Sequence, residues 1–208
     1  MYTFKVKNTK ITIQVSDLKS IKSDILVNWT VPTLDSGDSL FMEIHREGGS
    51  SIYKECNGAL ASYGKLAEDN TKYIQTGEAI ITSAGILPVK KLVHVVVPNY
   101  RNKQEINYKQ NLLLGGINYM FALINEYSTT HSPLRKITLT PVSEQIYGTF
   151  SKEELKTFLK TVITNANTYS LREVNFVCIN DEQAKEYFET LQNLFLPLSD
   201  RLYFKLFN

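Results

Sequence analysis

Apolar runs typical of buried β-strands alternate with amphipathic stretches along most of this chain, and this alternation is what most constrains its fold. Residues 24–29, DILVNW, are continuously apolar in their middle, as expected for a strand covered on both faces. In residues 105–127, by contrast, apolar side chains recur at the spacing of a helix that packs one face on a core. Because strand and helix alternate repeatedly after residue 24, the sequence predicts an α/β fold, a three-layer α/β/α sandwich.

The N-terminal segment has a different pattern, in which polar and apolar residues alternate. Residues 2–8 and 10–15 therefore form a predicted hairpin or two edge strands, which makes the central sheet mixed. The other predicted strands are residues 24–29, 78–83, 91–97, 136–140, 173–179 and 201–207. The predicted helices are residues 40–47, 50–66, 105–127, 151 to about 165, and a last one that ends near residue 194. Ser151 to Glu154 matches a capping box at the start of the fourth helix, and Asn180 or Asp181 caps the last one. With no internal repeat and no low-complexity linker, residues 1–208 are predicted to be one domain.

Composition excludes several classes of partner. The chain has 23 basic and 21 acidic residues, and a net charge of +2 gives no electrostatic footprint for nucleic acid or an anionic membrane. Its apolar runs are too short for a membrane span, and its N-terminus does not resemble a signal peptide. Cys56 and Cys178 form no metal-ligand pattern, so we expect no metal and no cofactor. With only these two cysteines, far apart in sequence, we expect a reducing, cytoplasmic environment.

Several segments, in matching order, resemble the motifs of the macro domain, a family that binds ADP-ribose and related nucleotides. The most specific segment is TGEAIIT followed by LPVKKLVHVVVP, in residues 76–82 and 87–98, which is similar to the family's TGEA-x-IT and LP-x-K-x-VIH-x-VGP. Weaker matches are DILVN to DAIVNAAN, EIHR to AIHRAAG and SEQIYG to STGIYG, at residues 24–28, 43–46 and 143–148. The resemblance covers roughly residues 15–192 and implies the macro fold. We interpret His94, in the middle of a strand, and His45, on a helix, as packing residues rather than ligands.

The resemblance also implies a ligand site. Asp17 falls on the family's GDI motif, where the aspartate accepts a hydrogen bond from the adenine amino group and the next amide, that of Leu18, reaches a ring nitrogen. A plain turn or helix-cap aspartate explains Asp17 equally well. Asn28 resembles a scaffold position, and Tyr147 resembles an aromatic that lies against a ribose. The candidate ligand-binding residues are Asp17, Leu18, Asn28, Gly37, Ser143, Ile146, Tyr147, Gly148 and Asn180.

Other positions depart from the family pattern. Val31 stands where the family has an asparagine that touches the distal ribose, and Phe41 stands where hydrolases have an aspartate. In the second loop, Glu144 and Gln145 replace Thr and Gly, and a carboxylate beside two phosphates is repulsive unless a cation intervenes. Hydrolysis by the usual residues is therefore disfavoured, and the catalytic residues stay unassigned. The loop acids that remain as candidate bases are Asp35, Asp38 and Glu43.

Two functions from different classes follow. The first is a divergent macro domain that binds ADP-ribose or a related adenine nucleotide, free or on an ADP-ribosylated protein, without the usual hydrolase residues. If such a protein is active, we expect an ADP-ribosyl hydrolase or an ADP-ribose phosphate phosphatase. The alternative is a macro fold that has lost nucleotide binding and serves as a structural or protein-interaction module. Val31, the filled loop at residues 36–42 and the aromatic tail at residues 203–207 motivate that alternative.

Overall fold

The computed structural model describes residues 1–17, 20–35, 39–102, 104–142, 148–169 and 171–197, without the side chains of residues 39–41. The strands are β1 Tyr2–Val6, β2 Thr9–Val15, β3 Ile25–Thr30, β4 Lys65–Leu66, β5 Lys72–Tyr73, β6 Ala79–Ser83, β7 Lys91–Val96, β8 Lys136–Leu139 and β9 Glu173–Cys178. The helices are α1 Ser39–Gly48, α2 Ser50–Tyr63, α3 Ile106–Thr130, α4 Lys152–Thr168 and α5 Asp181–Phe195.

Seven of these strands form one sheet in the order β1-β2-β9-β8-β3-β7-β6. The five inner strands are parallel to one another, and each edge strand runs antiparallel to its neighbour. The predicted mixed sheet is therefore confirmed, including the N-terminal hairpin. This one sheet contains residues from Tyr2 to Cys178.

Alternating side chains of the inner strands build a separate core on each face of the sheet. In β3, Ile25, Val27 and Trp29 join the larger core, which includes apolar residues of α3, α4 and α5. Leu26 points to the opposite face and joins the smaller core, to which α1 and α2 contribute Ile44 and Ile52. Because all six residues of β3 are buried, its continuous apolar run is explained by cover on both faces. These two helical layers confirm the three-layer sandwich.

The helix starts agree with the sequence to within one residue, but three helix ends differ by about three residues: α3 and α4 extend to Thr130 and Thr168, beyond the predicted 127 and about 165, and α2 is shorter than predicted. The prediction that this helix reaches residue 66 is wrong, since α2 ends at Tyr63 and the Gly64 N–H donates to the Leu60 carbonyl. A Cβ at Gly64 would lie 2.4 Å from that carbonyl oxygen, so this close helix ending requires a glycine. The chain then forms the short β4–β5 hairpin, which the helical prediction obscured.

Two predicted helix starts are confirmed by their capping bonds. The Ser151 side chain accepts a hydrogen bond from the Glu154 N–H at 3.3 Å, and the Glu154 carboxylate accepts one from the Ser151 N–H at 2.5 Å. Asn180 caps α5, because its side-chain oxygen accepts from the Gln183 N–H at 2.8 Å. The predicted strand at residues 201–207 lies outside the described residues.

The longest helix, α3, has 25 residues, which would be enough to cross a bilayer. Its sequence is too polar for such a role, and no helix in the described ranges has both the length and the hydrophobicity of a membrane span.

Candidate functional site

The order of the strands creates a crevice at the carboxyl ends of β3 and β8. These two strands are neighbours, but the chain leaves them in opposite directions. From β3 it passes through α1 and α2 on the smaller core and re-enters the sheet on one side as β6, which is followed by β7. From β8 it passes through α4 on the larger core to β9 on the other side. Loops that diverge in this way leave room for a ligand between them. The loops concerned are residues 31–38 and 140–151.

Three of the sequence-predicted site residues lie at this same edge of the sheet. Asp17 follows the carboxyl end of β2, Asn180 follows that of β9, and Gly148 lies in the loop that leaves β8. The structure therefore brings these three positions to one edge. Five further candidates lie outside the described residues: Leu18, Gly37, Ser143, Ile146 and Tyr147.

Asp17 is exposed and has a local structural role as well. Its Oδ1 accepts a hydrogen bond from the Ser20 N–H at 2.9 Å, and the hydroxyl oxygens of Ser16 and Ser20 lie 2.6 Å apart. The turn uses one carboxylate oxygen, and the side chain stays accessible to solvent. Both interpretations of Asp17 are therefore compatible with its geometry: a turn-capping residue and an acceptor for a ligand.

Asn28 is placed in the core, and not in the crevice. It is 1% exposed, and its Nδ2 lies 3.2 Å from Nδ1 of His94 on the adjacent strand. On the other side of the ring, His94 Nε2 lies 2.9 Å from Thr82 Oγ1. Since an amide nitrogen only donates, Nδ1 accepts and Nε2–H donates to the threonine. These contacts are those of a scaffold residue and leave no exposed amide of Asn28 at the surface of the crevice.

Both buried histidines are neutral at physiological pH. Burial, with a smaller contribution from the nearby His45, lowers the pKa of His94 to about 3. Burial also lowers the pKa of His45 to about 4, and the His45 ring centroid lies 3.9 Å from that of Tyr53 on α2. The packing roles predicted for these two residues are therefore confirmed, and neither is poised as an acid or base near pH 7.

The two cysteines are equally unsuited to chemistry. Both thiols are free and buried, and burial raises the pKa of Cys56 and of Cys178 to about 12. A thiol with such a pKa is not a nucleophile at neutral pH. In the parts of the chain that the structure describes, no three His, Cys, Asp or Glu side chains converge as metal ligands.

The loop that follows β7 contacts Gly148, in the loop that leaves β8. The sequence alone did not predict this contact. Gly148 has a φ of 81°, and a Cβ on it would lie 2.8 Å from the Arg101 nitrogen and 2.9 Å from the Tyr100 carbonyl carbon. Tyr100 is 1% exposed, and its ring meets that of Phe150 edge-on at 5.2 Å. The sequence signal that could have indicated this contact is an aromatic and a basic residue, Tyr100 and Arg101, soon after the end of β7.

Two comparisons with known proteins point to the macro domain family, and a third supports its fold. The macro domain family model matches residues 27–125. O-acetyl-ADP-ribose deacetylase 2 of Pantoea vagans is 28% identical over 187 residues, covering 88% of this chain and 98% of the relative. The O-acetyl-ADP-ribose deacetylase of Escherichia coli is 29% identical over 182 residues, covering 86% and 93%.

Among solved structures, the chain resembles the Oceanobacillus iheyensis macrodomain with ADP, with a TM-score of 0.79 and 23% identity over 93% of this chain and 95% of that one. It also resembles the macro domain of ganglioside induced differentiation associated protein 2, with a TM-score of 0.74 and 16% identity over 91% and 85%. At these identities the two structures support the fold alone.

Proposed function

Because the chain is a member of the macro domain family, we propose that it binds ADP-ribose or a related adenine nucleotide in the crevice at the carboxyl ends of β3 and β8. The observation that carries this proposal is topological. The chain diverges between these two strands, and the exposed Asp17 and Asn180 and the half-buried Gly148 follow neighbouring strands at the same edge. Such an edge is where open α/β sheets bind nucleotides.

The adenine end of the ligand belongs near Asp17. The exposed carboxylate keeps an oxygen that the turn to Ser20 does not use, so it can accept a hydrogen bond from the adenine amino group. Three strand spacings separate β2 from β3, which is about 14 Å. An extended adenosine diphosphate spans such a distance and places its phosphates over the loops that follow β8 and β3. Amides of residues 146–148 are our candidates for holding these phosphates.

The names of the relatives support this ligand class. The curated relatives described above are O-acetyl-ADP-ribose deacetylases, and one structural relative was solved with ADP. The match to the Pantoea vagans protein covers 98% of that protein.

Deacetylation of O-acetyl-ADP-ribose is the second candidate function, because it is the activity that those relatives are named for. We expect this chain to bind the nucleotide with little turnover. Val31, in place of the asparagine that touches the distal ribose, is half-buried and packs against the larger core. Acetate release from O-acetyl-ADP-ribose measures this directly. Turnover at a rate comparable to that of the relatives would establish an enzyme, and loss of turnover in Asp35→Asn or Glu43→Gln would identify its base.

Calorimetry with ADP-ribose, its phosphorylated forms, AMP and poly(A) tests the binding proposal. We expect heat with ADP-ribose, and an affinity about tenfold weaker in Asp17→Ala, since one charge-assisted hydrogen bond is lost. Asp69→Ala is the matched control: Asp69 is an equally exposed turn aspartate whose Oδ1 accepts from the Thr71 N–H at 2.9 Å, but it lies in the β4–β5 hairpin. No heat with any of these ligands contradicts the proposal.

The protein-interaction alternative predicts a different result. Self-association or partner capture would then survive the double change Asp17→Ala and Tyr147→Ala, while no nucleotide binds. Two buried free thiols fit a reducing compartment. We therefore also propose a cytoplasmic location, which fractionation of the native cells checks.

A further inference from the structure

The connection from β7 to α3 is held in a fixed shape by its own side chains. Asn99 Oδ1 accepts a hydrogen bond from the Arg101 N–H at 2.9 Å, and Asn102 Oδ1 accepts one from the Gln104 N–H at 2.8 Å. The Lys109 ammonium on the first turn of α3 donates to the Asn102 carbonyl. Short side chains that bond the backbone two residues on are a common way to fix a turn.

The core anchors this connection beside the second ligand loop. The Tyr100 ring is buried against Phe150, and the Phe150 centroid lies 5.7 Å from that of Phe158 in α4. The backbone of Tyr100 and Arg101 approaches Gly148 so closely that only a residue without a Cβ fits there. The Cα of Arg101 is therefore held next to the end of the loop whose amides are the candidates for binding phosphate.

The side chain of Arg101 is available at this place. It is exposed, and in the part of the chain that the structure describes its guanidinium forms no ion pair or hydrogen bond. Residues 98–110 contain three basic residues, Arg101, Lys103 and Lys109, and only one acid, Glu105. An arginine stays charged at any physiological pH, and its planar fork matches phosphate oxygens.

Resting on the proposed function, we infer that Arg101 recognises the diphosphate of the bound nucleotide. Its backbone contacts Gly148, so phosphates bound beside Gly148 lie within reach of this one arginine side chain. The guanidinium supplies a fixed positive charge that attracts the two phosphates of the ligand. Arg101 thereby sets a preference for diphosphate ligands over the nucleoside alone.

The test compares Arg101→Gln with Arg172→Gln by calorimetry against ADP-ribose and ADP, and by ligand-observed NMR against adenosine. Arg172 is the matched control because it is also exposed but precedes β9, at the opposite edge of the sheet. We expect Arg101→Gln to bind both diphosphates about tenfold more weakly, the effect of losing one charge-assisted contact. Adenosine binding stays unchanged, and the affinity for ADP-ribose becomes less sensitive to salt. Arg172→Gln behaves as wild type throughout.

Each other outcome overturns the inference in a recognisable way. If wild type binds ADP-ribose and Arg101→Gln binds it equally well, Arg101 has no role, while the proposed function stands. If Arg101→Gln weakens adenosine and ADP-ribose by the same factor, the change acts on the whole crevice and not on phosphate. If wild type binds none of the three ligands, both the inference and the proposed function are wrong. A thermal unfolding curve for each variant shows that it is folded.

Discussion

Two groups of polar residues in this chain differ in how they use their hydrogen-bonding atoms. In the core, Asn28, His94 and Thr82 bond one another across three adjacent strands and are at most 3% exposed. At the rim of the crevice, Asp17 and Arg101 are exposed. Within the described chain, Asp17 accepts a hydrogen bond through one carboxylate oxygen, and Arg101 donates one through its backbone N–H. Motif residues of the family resemblance occur in both groups. A motif residue that is present therefore does not by itself identify a ligand contact, and burial distinguishes the two roles.

We expect the largest effect from replacing His94, which bonds both Asn28 and Thr82 in the core group. His94→Ala leaves a cavity, removes the hydrogen-bond partner of the buried Asn28 Nδ2 and leaves the Thr82 hydroxyl with only its bond to the Ser83 carbonyl, so we expect the free energy of unfolding to fall by about 3–4 kcal/mol. The molecules that remain folded should bind ADP-ribose with wild-type affinity. Urea unfolding measures the first effect and calorimetry the second.

His131→Ala is the control for that change. His131 is exposed at the end of α3, where it stacks on Tyr127 at 4.2 Å. We expect a change of less than about 0.5 kcal/mol in the free energy of unfolding. Equal stability of the two variants would show that the buried hydrogen bonds of Asn28, His94 and Thr82 do not stabilise the fold.

We expect acid to lower the stability of the fold through the two buried histidines, His45 and His94. The folded-state pKa values of His45 and His94 lie near 4 and 3, below the ordinary 6.5. As the pH falls below about 6.5 the unfolded chain binds protons that the folded chain does not, so stability is lost down to the folded pKa values. We expect the free energy of unfolding to fall by about 2 kcal/mol or more between pH 6.5 and 5.

The variant His45→Phe tests the origin of this slope. Phenylalanine keeps an aromatic ring against Tyr53 and removes one of the two titrating groups, so the loss of stability over the same pH range becomes smaller. An unchanged slope would assign the effect to other groups. Urea unfolding at several pH values measures it.

At the rim, the contact between Gly148 and the loop after β7 can be broken directly. Gly148→Ala places a side chain at a left-handed φ of 81° and against the Tyr100–Arg101 backbone, which should cost about 1–2 kcal/mol of stability and weaken ADP-ribose binding. Gly115→Ala is the matched control, since a Cβ there meets nothing within 4 Å and alanine favours the helix by about 0.5–1 kcal/mol. Thermal unfolding of both variants, with calorimetry, separates the two effects.

The sequence predicts the layers of this fold well because strand and helix periodicities differ and because the inner strands are apolar throughout. It also predicts the helix starts at Ser151 and Asn180, whose caps depend on neighbouring residues only. The β4–β5 hairpin escapes prediction because its strands have two residues each and directly follow a helix. Such short pairings leave no periodic signal.

The candidate site is predicted less completely, for a physical reason. Asp17, Gly148 and Asn180 can be assigned to one edge because each follows a strand of the same parallel sheet. The contact of Arg101 with Gly148 joins residues 47 positions apart, and only the folded chain brings them together. Burial likewise decides that Asn28 is a scaffold residue, since asparagine serves equally well in either role.

An NMR titration of the ¹⁵N-labelled protein with ADP-ribose tests the location of the site most directly. Binding in the crevice predicts that the amide signals of Asp17, Arg101, Gly148 and Asn180 shift together and saturate with one dissociation constant, while those of Asp69 and Arg172 do not move. Shifts confined to the surface groove between α4 and α5, around Lys156 and Lys185, or no shifts at saturating ligand, would contradict the account.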